Sequence, residues 1–90
     1  MFKLTRAQQK LTLEMEVHLM CCVEVQGMYG KIVQGPSGTD RRTLEKLVEL
    51  GILNRDAFGA FIEYTQGPNF RDAVESITDN DRLYLEGYYA

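Results

Sequence analysis

The run Asp40-Arg41-Arg42-Thr43-Leu44-Glu45-Lys46-Leu47-Val48-Glu49-Leu50-Gly51-Ile52-Leu53 constrains the fold more than any other part of the chain. Leu44, Leu47, Val48 and Gly51 recur at spacings of three, four and seven, which puts them on one face of a helix. Thr39 or Asp40 can cap its start, because a short side-chain oxygen accepts from the free amides of the first turn. Gly51 can take the left-handed conformation that ends a helix. Ile52 and Leu53 then return the chain to the core. The segment therefore predicts an amphipathic helix, leucines inward, delivered directly into the next element.

A second helix start lies at Leu4-Thr5-Arg6-Ala7-Gln8. Thr5 and Gln8 have the spacing of a capping box, and Leu4 precedes the cap as a hydrophobic staple does. Beyond it the periodicity is double. Every odd position from Leu11 to Val25 is apolar, which is the strand pattern. Ala7, Leu11, Met15, Leu19 and Val23 also recur every four residues, which draws a slowly drifting helical stripe. The cap favours helix over about residues 6–20, with residues 22–25 turning extended.

Gly27, Gly30, Gly35, Pro36 and Gly38 punctuate the following stretch. A short helix or strand fits between Gly27 and Gly35, and Gly35-Pro36-Ser37-Gly38 reads as a turn. Past the amphipathic helix, Asn54-Arg55-Asp56 reads as a polar turn. Residues 58–65, aromatic and β-branched, read as one strand. Thr78 and Asp81 have capping-box spacing, and Leu83, Tyr84, Leu85 and Tyr88 suit a short last helix. No internal repeat or low-complexity segment is evident.

Ninety residues suit one domain. Hydrophobic residues make up 44% and charged residues 26%, the balance of a folded chain and not of a disordered one. No run is long and apolar enough to span a bilayer. Residues 1–10 lack the apolar core of a secretion signal, so a cytoplasmic protein is expected. The net charge of −3 is unevenly spread. Residues 1–46 hold seven Lys/Arg and five Asp/Glu; residues 47–90 hold three and eight.

The order of elements is a helix, a short element, a Gly/Pro turn, a helix closing on Leu50-Gly51-Ile52-Leu53, and an aromatic strand. It resembles the winged helix-turn-helix family, of which small domains are common in bacterial and prophage genomes. Residues 4–8 look like the start of that family's first helix, residues 40–53 like its recognition helix and exit, and residues 58–65 like a wing strand. The resemblance covers about residues 4–65 and leaves 66–90 as an extension without a counterpart. It implies an α+β, mainly helical single domain. It further implies double-stranded DNA as partner, with Arg41, Arg42, Thr43 and Lys46 facing the major groove and Arg55 or Asn54 reaching the backbone. A homodimer would follow for specific binding, since one short helix reads few base pairs.

The other charges point to different chemistry. Glu45 and Glu49 share the basic helix, and Arg41 with Glu45 has i,i+4 spacing, the pattern of a solvated helix. Three basic and two acidic side chains over residues 41–49 leave only +1 there. The acidic second half suggests an alternative: a protein-binding adaptor, or a phage-type inhibitor of a host nucleic-acid machine. That reading uses Asp79, Asp81, Tyr84, Glu86 and Tyr88 against a basic partner. Enzyme chemistry is not expected. His18 with Glu14 or Glu16 is the one acid–base grouping, and Gly30-Lys31 is not followed by the Ser or Thr of a phosphate loop. Adjacent Cys21 and Cys22 with His18 lack the second spaced pair of a zinc site, so no metal or cofactor is expected.

Overall fold

In the computed structural model the described residues are 2–25, 30–36 and 40–86. They form a single α+β domain in the order α1 (Arg6–Val17), β1 (Met20–Glu24), β2 (Lys31–Gln34), α2 (Arg41–Glu49), β3 (Leu53–Phe58), β4 (Phe61–Gln66), α3 (Phe70–Glu75) and α4 (Asp79–Leu85). The four strands make one antiparallel sheet in the order β2-β1-β4-β3.

The α1 cap is the expected reciprocal one. Thr5 Oγ1 accepts from the Gln8 amide at 3.2 Å, and Gln8 Oε1 accepts from the Thr5 amide at 2.9 Å. Both periodicities in residues 11–25 are used, one after the other. Leu11 and Met15 are buried from the helix, and Cys21 and Val23 are buried from the strand. The helix stops at Val17, short of the expected Met20, and β1 starts at Met20. Gln66 Nε2 donates to the Met15 carbonyl at 3.0 Å, which satisfies one orphan acceptor at this helix end.

Cys21, Val23, Ile62, Tyr64 and Leu53 project from one face of the sheet into a core shared with Leu11, Met15, Leu44, Leu47, Phe70, Ala73 and Val74. α3 is therefore part of the same core as the segment before it, whereas α4 buries no residue. α1 packs against both α2 and α3 over this face. Leu44 and Leu47 are fully buried, as the leucine spacing predicts.

α2 ends as expected. Asp40 is its cap, and the other candidate, Thr39, lies outside the described residues, as do Gly27, Ser37 and Gly38. Gly51 has φ 74°, and Ile52 and Leu53 are buried at once behind it. The loop after β4 locks this exit. The Gly67 amide donates to the Ile52 carbonyl at 2.8 Å, and the Asn69 amide to the Gly51 carbonyl at 2.9 Å.

Two expectations are corrected. Asn54, Arg55 and Asp56 are not a turn but the middle of β3, held by their pairing with Thr65, Tyr64 and Glu63. Residues 58–65 are not one strand. Gly59-Ala60 is a two-residue hairpin loop between β3 and β4, with Phe58 opposite Phe61. Gly59 has φ 55°, the positive value that a Gly-first hairpin turn needs. No atom lies near the place of its missing Cβ, so conformation alone demands glycine there. Gly59→Ala is expected to lower stability by about 1–2 kcal/mol in urea unfolding. An unchanged midpoint would show that the turn adopts another form.

Candidate nucleic-acid interface

The first turn of α2 is organised by Asp40. Its Oδ1 accepts from the Thr43 amide at 2.8 Å and from the Thr43 hydroxyl at 3.0 Å. The Thr43 backbone hydrogen bond, helped by the hydroxyl, holds the Asp40 carboxyl below its ordinary range. Thr43 is thus engaged in the cap and only half exposed.

The cations around it lie at the surface. Arg41 Nε is 3.7 Å from Glu45 Oε1, and Arg55 Nε reaches the same oxygen at 3.2 Å. Tyr64, beneath them, donates its hydroxyl to that oxygen at 3.1 Å. Burial, and then the Glu45 charge, raise the Tyr64 phenol above its ordinary value, so it stays a donor. Register explains the meeting: Arg55 is the cross-strand partner of Tyr64, on the helix side of the sheet. The structure therefore brings Arg41 and Arg55 together through a carboxylate. Sequence reading paired Arg41 with Glu45 but gave Glu45 no part in holding Arg55.

Lys46 Nζ lies 3.6 Å from Glu49. Arg42 is exposed one helical turn before Lys46, and no ion pair holds it among the described residues. Side-chain exposures of 41%, 43% and 53% for Arg41, Arg55 and Lys46 put their pairs in the weak class, about 0–1 kcal/mol each. Such pairs can exchange a carboxylate for a phosphate at little cost. Over residues 40–56 four basic side chains face four acidic ones, so the surface carries no net charge.

The residues of the alternative site are arranged differently. Asp81 Oδ1 accepts from an Arg6 guanidinium nitrogen at 2.6 Å, and its Oδ2 from Gln9 Nε2 at 3.4 Å. The Arg6 guanidinium also stacks 4.4 Å from the Tyr84 ring centre. The hydrogen bond from Arg6, then that from Thr78, holds the Asp81 carboxyl below its ordinary range. Asp81 and Tyr84 thus clamp α4 onto α1. Nothing in the local sequence signals this, because the partner lies 75 residues away. Asp79 and Glu86 are exposed, and Tyr88 lies outside the described residues.

A groove of about 400 Å³ runs between α1 and α4, lined by Lys10, Glu14, Val17, His18, Arg82 and Leu85 among others. Glu16 also lines it and lies 3.7 Å and 3.8 Å from Arg71 and Arg82. His18 thus shares a groove with Glu14 and Glu16, but no hydrogen bond joins its ring to either carboxylate among the described residues. No three His, Cys, Asp or Glu come together as metal ligands among them, and none of their helices is long and apolar enough to cross a membrane.

Comparison of the chain with protein-family models, with curated proteins and with solved structures finds no match.

Proposed function

We propose that this protein is a small DNA-binding regulator of winged-helix type, in which α2 enters the major groove and the β3–β4 hairpin lies along the backbone as a wing. One observation carries the reading: Arg41 on α2 and Arg55 on the adjoining strand reach one surface point at Glu45, beside exposed Arg42 and Lys46. Helix and hairpin thus offer cations to a polyanion from two elements at once. The strand order supports the same reading, since the hairpin that follows α2 pairs through its second strand with β1. The described element preceding α2 is strand β2, so the reading rests on α2 and the hairpin without a helix before them.

The balanced charge around α2 has a measurable consequence. With at most four cations to neutralise phosphates, the logarithm of affinity for mixed-sequence duplex should fall with the logarithm of salt at a slope of about −3 to −4. Titration by fluorescence anisotropy at several salt concentrations measures it. Absence of binding even at low salt would overturn the proposal.

A further inference from the structure

The helices cover one face of the sheet only. On the other face the register sets two rows of side chains. One row reads Lys31, Glu24, Phe61, Phe58, and the next reads Gln34, Cys22, Glu63, Asp56. No described helix packs on either row. Phe58 and Phe61 stay 53% and 42% exposed although they are cross-strand partners. Isolated exposed apolar side chains are ordinary, but two neighbouring phenylalanines on an open sheet face form a patch.

The second row carries a penalty. Glu63 and Asp56 are directly opposite each other, and like charges in that position destabilise a sheet. Neither has an ion-pair partner among the described residues, and Glu24 has Lys31 as the one cation opposite it, with no ion pair between them. A face kept only for solvation would be more stable with one of these acids replaced by a base. The pattern fits a surface whose missing charges come from outside. Its sign excludes a nucleic-acid backbone and opposes a second copy of the same face.

We propose that this open sheet face is the docking site for a cationic, partly apolar segment of another protein. Its Lys or Arg side chains meet Glu24, Glu63 and Asp56, and its apolar side chains meet Phe58 and Phe61. Phenylalanine faces beside the carboxylates also attract the same cations. The site is separate from the cations of α2, because Arg55 points to the helix side and Asp56 and Asn54 to the open side of the same strand. DNA and a protein can then be held together.

Cys22 supplies a built-in reporter, since it sits half-buried in the second row while Cys21 points into the core. Burial, with Cys22 beside it, pushes the Cys21 thiol up to about 11. Burial and the Glu63 charge also raise the Cys22 thiol, but Cys22 is partly exposed and Cys21 is not, so a thiol reagent reads Cys22 first.

The test uses a fluorescent peptide of alternating lysine and valine, with a glutamate–valine peptide as control, in about 0.15 M salt. The lysine peptide is expected to bind and to slow alkylation of Cys22; the glutamate peptide should do neither. Phe61→Ser and Asp56→Lys should each weaken binding about tenfold or more, whereas Asp72→Asn with Glu75→Gln on α3 should leave it unchanged. Asp56→Lys should at the same time raise the thermal midpoint, which separates lost binding from lost folding. The proposal fails if the lysine peptide does not bind, if the α3 variant weakens it equally, or if duplex DNA or self-association protects Cys22 instead.

Discussion

Leu47→Ala is expected to lower the free energy of unfolding by about 2–5 kcal/mol. Leu47 is 0% exposed and lies in the middle of the inward stripe of α2. Its core spans α1, α2, α3 and the inner face of the sheet, so no single element can collapse into the space a smaller side chain leaves. The loss therefore combines the transfer of the missing methyl groups with an unfilled cavity. Small domains have about 5–15 kcal/mol of stability in total, so the variant should unfold at a much lower urea concentration with a similar slope. A near-unchanged midpoint would mean that the inward face of α2 is misassigned, and the outward assignment of its arginines would fall too.

The joint replacement of Arg41 and Arg42 by alanine should act in the opposite way. Both side chains are exposed, and the Arg41–Glu45 pair is a surface pair, so stability should change by no more than about 1 kcal/mol. Affinity for duplex DNA should fall about a hundredfold, because each arginine that contacts a base or phosphate contributes about 1–3 kcal/mol. The residual salt slope should flatten by about 2, one for each cation removed. Circular dichroism and anisotropy on the same samples separate the two effects. Undiminished binding would remove α2 from the interface while leaving the fold as described.

α2 was legible because three independent signals coincide between Asp40 and Gly51: a cap, a leucine period and a terminating glycine. The segment 11–25 was not, because its odd apolar positions satisfy two periods at once. Where helix gives way to strand is decided by burial of Met15 against the helices and of Cys21 against the sheet, which only the assembled core defines. Asn54, Arg55 and Asp56 have turn composition, yet they lie in an edge strand that buries only Leu53, so their polarity reflects exposure. The Gly59-Ala60 turn did leave a signal, a glycine between two phenylalanines, but the aromatic run around it looked continuous. For the candidate site, the exposed arginines could be read from helix periodicity. Their convergence on Glu45 could not, because it depends on the β3–β4 register setting Arg55 over Tyr64.

The clasp of Arg6 on Asp81 and Tyr84 has a consequence for how the chain is made. Its first helix is synthesised early but obtains this anchor only from residues near the far end, and its core neighbours Phe70, Ala73 and Val74 are also late. The buried stripe of α1 finds part of its cover earlier, in Cys21, Val23, Leu44, Leu47 and Tyr64. α4 buries no residue of its own, so a product lacking that helix would keep the core partners of Leu11 and Met15 and lose only the outer clasp that holds Arg6 and Gln9.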